Sequence, residues 1–504
     1  MESRSQAIRV ERRASVSWVL VSLSLSILLS ALGTSIANVG LPSMAQAFNA
    51  SFQAVQWVVL AYLLAITSLI VSVGRLGDLM GRRRLMLAGI GLFTTASVLC
   101  GMAPELWLLI AARAVQGLGA AVMMALSMAF VGETVPKAKT GSAMGLLGSM
   151  SAIGTALGPS LGGLLIAGLG WQVIFLINLP LGLLAFFLAY RHLPLDHPIA
   201  KAQRPRVDVL GALLLALSLA AYALAMTAGR GSFGPLNGAL LFAAGCGVGL
   251  FLRVEMKVAS PLIPLALFRH PRLSAGFAMS ALVMTVMMAT LVVGPFYLTG
   301  ALALDASRVG LVMACGPVVS ALLGIPAGRS VDRFGTQPMT LVGLVAMLVG
   351  CACLSLLPTR FDIAGYLIPL VIVTAGYGLF QAANNTAVLA DARPDQRGVI
   401  AGLLNLSRNL GLITGASVMG AVFALGSAAP RITTAPPAAI ATGLGLTFAV
   451  AALLILLALM IALASHSQFS FFRGQAGAAT RSPYDPRLPY FHIPTGKSRE
   501  GRNG

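Results

Sequence analysis

Long apolar runs, separated by short polar stretches, restrict the fold of this chain more than any other feature. Cutting the sequence at charged and turn residues leaves fourteen such runs, the first at 16–38 and the last at 440–464. Each run can cross a hydrocarbon layer of about 30 Å as a helix that rises about 1.5 Å per residue. Because 57% of the 504 residues are hydrophobic and only 10% are charged, a water-soluble fold could not bury this much apolar surface. The sequence therefore predicts an all-α integral membrane protein with fourteen transmembrane helices.

Lysine and arginine are distributed unevenly between the two ends of these runs. One set of ends carries most of them, including the triplet at 82–84. The opposite ends carry only four, which are Arg230, Arg308, Arg360 and Arg431. Since cytoplasmic loops are enriched in positive charge, we expect a multi-pass protein of the cell (inner) membrane with both termini in the cytoplasm. The net charge of +19 is explained by these loops and the basic tail, so it does not indicate a nucleic-acid partner.

A pattern of glycine, arginine and aspartate occurs twice in the sequence. Residues 74–81 read GRLGDLMG and residues 328–335 read GRSVDRFG, and each copy lies between two apolar runs. A second pair of related segments begins at Gly117 and Gly376, so the offset between the copies is about 254 to 259 residues. An internal parallel repeat of this size indicates two helical bundles of the kind found in transporters.

The repeat divides the chain into two six-helix bundles with two additional helices between them. In chain order the predicted segments are a cytoplasmic N-terminus at 1–15, the N-terminal bundle at 16–190, a cytoplasmic linker at 191–207, two inserted transmembrane helices at 208–254, a second cytoplasmic linker at 255–273, the C-terminal bundle at 274–465 and a disordered basic cytoplasmic tail at 466–504.

Taken together, these motifs resemble those of the major facilitator superfamily over nearly all of residues 15–465. The segment GRLGDLMGRRR is similar to the family's signature between the second and third helices, and residues 113–121 to its signature in the fourth. Residues 145–163 resemble the antiporter signature of the fifth helix. Three further segments resemble the 14-helix drug:proton antiporter branch, of multidrug efflux type: 32–42, 57–64 and 175–182.

The resemblance implies roles for both repeated loops. In the family, the charged loop that carries this motif is a latch between the bundles, and it holds the transporter in the state that is closed to the cytoplasm. The expected partner of the latch is the thirteenth helix, which begins near Gly398. For Arg82, Arg83 and Arg84, an effect on topology alone is the alternative. One departure is Leu79, where the family often has arginine; the second copy has Arg333 there. The expected latch residues are Gly74, Asp78, Gly81, Arg82, Gly328, Asp332, Arg333 and Gly335.

The antiporter signature places small residues along the fifth helix and a proline within it. Small residues allow helices to approach closely, and proline bends a helix. The resemblance implies a role in coupling, and ordinary helix packing is the alternative. The motif residues are Gly154, Gly158, Pro159, Gly162 and Gly163.

Only two ionisable residues lie deep within the apolar runs, Arg113 and Arg408. A charge at such depth is costly unless it faces water or a partner, so both are functional candidates, with a hydrogen-bonded network of nearby carbonyls and amides as the alternative. Related drug antiporters often carry an aspartate in the first helix, where this chain has Gly33. Two arginines without a buried acid favour a neutral or anionic substrate over a cation. The coupling candidates are Arg113, Gln116, Glu133, Asp391 and Arg408.

Several polar and aromatic side chains within the runs are candidates for a substrate cavity. Each can equally serve as a hydrogen-bonding contact between helices. The cavity candidates are Asn38, Trp57, Tyr62, Asn178, Tyr297, Tyr377, Gln381, Asn384, Asn385 and Asn405.

No enzymatic, nucleotide, metal or cofactor motif is present in the sequence. We therefore expect a monomeric secondary active transporter in the lipid bilayer, with no cofactor and with protons as the coupling ion. Its expected activity is efflux of small amphiphilic compounds or drugs by alternating access. The alternative is a facilitator or uptake carrier for a small organic anion.

Overall fold

The computed structural model describes residues 2–136, 140–196, 209–228, 234–258, 265–356, 362–390, 397–428 and 435–479. The regular elements in these ranges are all helical. They are α1 (Glu2–Ala47), α2 (Phe52–Met80), α3 (Arg82–Gly101), α4 (Leu106–Thr134), α5 (Thr140–Leu169), α6 (Val173–Leu176), α7 (Asn178–His192), α8 (Val209–Thr227), α9 (Pro235–Glu255), a 3₁₀ turn (Leu265–Arg269), α10 (Pro271–Gly300), α11 (Ala306–Phe334), α12 (Thr336–Ser355), α13 (Asp362–Ala390), α14 (Arg397–Thr414), a π-helical turn (Gly415–Met419), α15 (Gly420–Ser427) and α16 (Pro437–Ala479).

Fourteen segments of the described chain are long and apolar enough to cross a membrane, which confirms the predicted number. Helices α6 and α7 together form one span, Val173–His192. Another span, Gly402–Ser427, runs from α14 through the π-helical turn into α15. The remaining spans each consist of a single helix. The predicted fold class is therefore confirmed.

The internal repeat appears in the helix termini as well as in the sequence. Ser51 caps the start of α2 by accepting a hydrogen bond from the Ala54 amide, and Asp305 caps α11 in the same way through the Arg308 amide. Gly81 and Gly335 end these helices with φ of +93° and +89°, a conformation that other residues rarely adopt. The last glycine of each GRxxDxxG copy is thus required by the turn into the next helix.

Close helix pairs also recur in the two halves. In the N-terminal half α3 crosses α4 at Gly89 and Gly119, and a Cβ at Gly119 would lie 2.7 Å from the Gly89 carbonyl oxygen. In the C-terminal half α12 crosses α13 at Gly343 and Gly376, where a Cβ at Gly376 would lie 2.6 Å from the Gly343 carbonyl oxygen. Both crossings depend on backbone-to-backbone contact, which only glycine permits at this distance.

Two boundaries differ from the sequence-based division. Helix α1 begins at Glu2, within the segment expected to be a cytoplasmic N-terminus, and α16 continues to Ala479, beyond the expected end of the bundle at residue 465. A polar sequence ends a membrane span but not a helix, and the sequence after residue 465 contains no proline before Pro483. The rest of the tail, 480–504, lies outside the described residues. The described residues from Leu463 onward form a unit separate from the described residues before it.

The inserted helices α8 and α9 form a hairpin, and α8 packs against both halves of the protein. Helix α8 contacts α2 of the N-terminal half and the π-helical turn of the C-terminal half. Trp57 Nε1 donates to Thr227 Oγ1 at 3.0 Å, and the Tyr222 hydroxyl lies 3.4 Å from Thr414 Oγ1. Helix α8 therefore bridges the two bundles at one side.

Candidate transport pathway

The short connections make consecutive spans antiparallel, so every loop belongs to one of two sides. We call the side with the α2–α3 loop the basic side, because it carries Arg82, Arg83 and Arg84. The opposite side, with the α1–α2 loop, is the far side. The contacts between the two halves can then be assigned to one side or the other.

The tightest backbone contact between the halves lies on the far side, where α5 meets α11. A Cβ at Gly163 would lie 2.6 Å from the Ala306 carbonyl oxygen and 2.7 Å from the Gly310 Cα. A Cβ at Gly310 would lie 2.6 Å from the Pro159 carbonyl oxygen. No side chain larger than hydrogen fits at this contact.

A second far-side contact joins α2 to the π-helical turn. Gln56 is buried, and its Nε2 donates to the Ala416 carbonyl oxygen at 2.8 Å. A π-helical turn disturbs the regular backbone ladder and leaves carbonyl groups that need other donors. Gly420, one turn later, leaves room for the Gln56 amide group.

Aromatic side chains complete the closure on the far side. The Phe52 ring packs edge-on against Phe296 at 4.7 Å and against Phe423 at 5.4 Å between ring centroids. Phe52 begins α2, whereas Phe296 and Phe423 belong to the C-terminal half. In contrast, a Cβ at Gly324, Gly328 or Gly402, in the basic-side parts of α11 and α14, would meet no atom within 4 Å. The halves are therefore packed most closely on the far side.

The antiporter-signature glycines are the points at which α5 contacts other helices. A Cβ at Gly154 would lie 2.5 Å from the Leu28 carbonyl oxygen of α1. Gly158 packs directly against Ser35, and Gly162 against Ile36. Because Gly163 and Pro159 face α11 instead, one short segment joins α5 to α1 of its own half and to α11 of the other half.

The α2–α3 loop on the basic side is held by two acidic residues. Arg82 forms a salt bridge with Glu133 at the end of α4. Asp196, which follows α7, accepts from the backbone amides of Arg83 at 2.8 Å and Arg84 at 3.2 Å. Its carboxylate therefore caps the first turn of α3, where negative charge is stabilised.

Some expected latch and coupling residues are only partly described. Asp78 lies within the α2 backbone, but its side chain is outside the described part of the structure, as is Asp391 altogether. In the second copy, Asp332 and Arg333 are exposed, and the Arg333 guanidinium lies 5.2 Å from the centre of the Phe334 ring. The latch at Gly74 and Asp78 remains a prediction.

Arg113 is fully buried within the N-terminal half. Its Nε donates to the Val58 carbonyl oxygen at 2.8 Å, and its Nη1 to Gln116 Oε1 at 2.5 Å. Gln116 Nε2 donates in turn to Ser97 Oγ at 2.6 Å. The guanidinium also lies 4.0 Å above the centre of the Tyr62 ring, a cation–π contact. Hydrogen bonds and an aromatic face, rather than a carboxylate, compensate this charge among the described residues.

Tyr62 and Phe93 leave little room for a side chain at position 33 in this arrangement. A Cβ at Gly33 would lie 3.0 Å from the Tyr62 hydroxyl oxygen and 3.4 Å from the Phe93 ring. The Tyr62 hydroxyl donates to the Ser30 carbonyl oxygen at 2.8 Å, and this hydrogen bond holds the ring in place. The space beside the first helix is filled by this tyrosine.

The second deep arginine, Arg408, is only partly buried. Its Nη2 donates to Asn385 Oδ1 of α13 at 3.1 Å. The structure brings four of the predicted cavity residues together on α13 and α14, all partly exposed: Tyr377, Gln381, Asn385 and Asn405.

The other predicted cavity residues are buried or contact another helix. Trp57 is bonded to α8. The remaining five are at most 2% exposed and are Asn38, Tyr62, Asn178, Tyr297 and Asn384.

The contacts of these five residues differ. Asn38 donates to Thr34 of its own helix, and Asn384 to the Gly276 carbonyl oxygen of α10. The Tyr297 ring stacks on Tyr366. Neither polar side-chain atom of Asn178 has a hydrogen-bond partner among the described residues. Those with partners serve as contacts within or between helices in this conformation.

Sequence reasoning assigned no role to two groups of residues that the structure makes prominent. Gly310, Gly420 and Asp196 form contacts on the two sides, but none lies in a motif that would mark it. Tyr222 and Thr227 lie on an inserted helix that has no counterpart in the repeat. Their contacts depend on tertiary packing and become visible only in three dimensions.

Comparison with known proteins places this architecture in a family. The profile of the Major Facilitator Superfamily matches residues 23–416. The chain is 31% identical over 409 residues to a riboflavin transporter of Clostridioides difficile (strain 630), and the aligned region covers 81% of this chain and 88% of that protein. It is 32% identical over 423 residues to a drug efflux pump of Mycobacterium tuberculosis, covering 82% of each chain.

A solved structure agrees at the level of the fold. A bacterial homologue of the human lysosomal transporter Spinster, in an inward-facing and occupied conformation, superposes with a TM-score of 0.67 at 15% identity. The match covers 90% of this chain and 97% of that one. These relatives are transporters and not enzymes. The chain is a multi-pass membrane transporter that belongs to the Major Facilitator Superfamily.

Proposed function

We propose that this transporter is a proton-coupled secondary active exporter of small amphiphilic compounds, working by alternating access in the cell (inner) membrane. The observation that carries the proposal is the α5 segment from Gly154 to Gly163, which packs against α1 of one half and α11 of the other. A close glycine contact of this kind can form in one state and break in the other as two rigid halves rock against each other.

The excess of lysine and arginine assigns the basic side, and both chain termini, to the cytoplasm. The described contacts then correspond to a state closed to the outside. Opening on the far side requires loss of the Gly163–Gly310 contact and of the Gln56–Ala416 hydrogen bond. The α2–α3 loop, held by the Arg82–Glu133 salt bridge and by Asp196, lies on the basic side, which would close when the far side opens.

Protons are the proposed coupling ion because the chain has no nucleotide-binding motif. Glu133 and Asp391 are the candidate proton carriers near the basic side, and Arg113 and Gln116 the candidate relay within the N-terminal half. An uptake carrier for an organic anion is the second candidate, favoured by the absence of an ion-pairing carboxylate beside Arg408 among the described residues.

Proteoliposomes containing the purified protein separate these possibilities. An inward proton gradient is imposed, and neutral, cationic and anionic dyes are followed together with an internal pH probe. Proton movement that depends on a dye supports coupled export. Dye flux down its own gradient, without proton movement, would instead identify a facilitator. Asp78→Asn serves as the latch variant, and normal transport by it would contradict the latch prediction.

A further inference from the structure

Helices α13 and α14 carry a polar surface within their membrane-spanning segments. Its members are all partly exposed and include two residues beyond the predicted cavity set: Tyr377, Gln381, Asn385, Asn405, Arg408 and Asn409. A polar surface of this size is not stable against lipid, so it faces a water-filled space or another part of the protein. We call it the α13–α14 polar surface.

This surface offers hydrogen-bond donors in excess of acceptors. A guanidinium has five N–H donors, and Arg408 uses one of them, on the neutral Asn385 amide oxygen. The Nδ2 atom of Asn409, the next residue, is buried and has no acceptor. No carboxylate among the described residues is within ion-pair distance of Arg408. Among the described residues, the positive charge of Arg408 and the unused donors on this surface therefore have no matching acceptor.

The two deep arginines differ in a way that identifies which one a ligand can reach. Arg113 has no exposed surface: its guanidinium contacts Val58, Gln116 and the Tyr62 ring, and its Nη2 atom, which has no hydrogen-bond partner among the described residues, is buried as well. Arg408 is partly exposed, and its one described hydrogen bond, donated to Asn385, orients the guanidinium. Of the two deep arginines, Arg408 is therefore the one that a ligand can reach.

Apolar surface lies beside this cation. Gly411, three residues after Arg408, packs against Met284 of α10, and a Cβ at Gly411 would lie 2.8 Å from the Met284 Cβ. Met284 is itself partly exposed, as is Met287 one turn away. Methionine side chains adapt to apolar groups of different shapes. The combination suits a molecule with one charged end and one apolar body.

We propose that Arg408, oriented by Asn385, binds a carboxylate or sulfonate group of the transported molecule, which is therefore an amphiphilic anion. This inference rests on the proposed function and specifies its substrate class. A planar guanidinium binds such groups through paired, charge-assisted hydrogen bonds.

The test uses two dyes that share an apolar body and differ in charge, 1-anilinonaphthalene-8-sulfonate and its neutral parent N-phenyl-1-naphthylamine. Binding is measured by fluorescence with the protein in zwitterionic nanodiscs, after subtraction of empty nanodiscs. Arg408→Gln should weaken sulfonate binding about tenfold or more and change binding of the neutral dye less than about twofold. Asn385→Asp retains the arginine but supplies a competing carboxylate, so it should have the same selective effect.

Arg308→Gln is the matched control, because it removes one positive charge from an exposed arginine that pairs with Asp305. It should leave both dyes unchanged. Equal weakening of both dyes by Arg408→Gln, or weakening of neither, would overturn the inference. Efflux of both dyes by the wild-type protein is measured in parallel. If neither dye is exported, export itself is contradicted, whereas efflux of one or both dyes without a selective loss of sulfonate binding in Arg408→Gln contradicts only the Arg408 site.

Discussion

Substitution of Gly310 by alanine should shift the transporter away from the state described here. The added Cβ would lie 2.6 Å from the Pro159 carbonyl oxygen and 2.7 Å from the Gly163 Cα. Both are backbone atoms, so neither can rotate away, and α5 and α11 must separate on the far side. Overpacking of this kind costs about 1–3 kcal/mol. Because only the far-closed state contains the contact, the ratio of far-closed to far-open molecules should fall about 5- to 150-fold.

Distances between spin labels report this shift directly. Met102 and Leu356 are suitable labelling sites, since both are exposed, at the far ends of α3 and α12 in different halves. The five native cysteines are replaced beforehand. In nanodiscs, Gly310→Ala should add or enlarge a longer distance component relative to the parent protein.

The chain provides a matched control on each of the two helices. A Cβ at Gly168 of α5 or at Gly324 of α11 would meet no atom within 4 Å. Alanine at either position makes the same change in helix propensity without a clash, so both variants should retain the parent distances. If Gly310→Ala gave the same distribution as Gly324→Ala, the glycine contact would not determine closure of the far side.

Three further predictions follow from the described contacts. Asp196→Ala removes the carboxylate that caps α3 and should cost about 0.5–2 kcal/mol, seen as a lower melting temperature in nanodiscs; an unchanged value would contradict the capping role. Arg113→Lys cannot reproduce the planar set of hydrogen bonds, so it should reduce proton-coupled flux and alter the pH dependence of that flux. Normal transport with an unchanged pH profile would exclude a coupling role for Arg113. Tyr222→Phe should weaken the α8 contact to the C-terminal half and increase the far-open population by no more than about tenfold, measured by the same spin-label distances. Trp57→Phe, which removes the bond to Thr227, should affect chiefly the α8 contact with the N-terminal half. Identical effects of the two variants would contradict the assignment of one contact to each half.

The fold could be predicted from the sequence because membrane solvation leaves few choices. Apolar runs of sufficient length must form helices, and a repeated loop motif indicates repeated bundles. Gly81 and Gly335, the last glycine of each motif copy, both have positive φ, so the repeated motif also corresponds to a repeated turn between helices. The ends of α1 and α16 were not predictable in the same way, because a helix can continue into a polar segment once the membrane no longer selects for apolar residues.

The candidate site could be predicted only in part. The depth of Arg113 and Arg408 follows from counting residues, but their different environments do not. One is enclosed by Tyr62 and Gln116, and the other is bonded to Asn385 and remains partly exposed. A polar residue in an apolar helix can face a cavity or a neighbouring helix, and only packing decides between them. Asp196 is separated by more than 100 residues from the amides that it caps, so no local pattern reveals it.

The position of α8 suggests why two helices are inserted between the bundles. Helix α8 joins Trp57 of the N-terminal half to Thr414 of the C-terminal half, and both contacts lie toward the far side. When the halves rock apart there, one helix cannot keep both bonds. The Trp57–Thr227 bond is 3.0 Å long and the Tyr222–Thr414 bond 3.4 Å, so the second is the weaker and should break first. The inserted pair would then move with α2 and act as a brace that stabilises the far-closed state, rather than as a filler between the bundles.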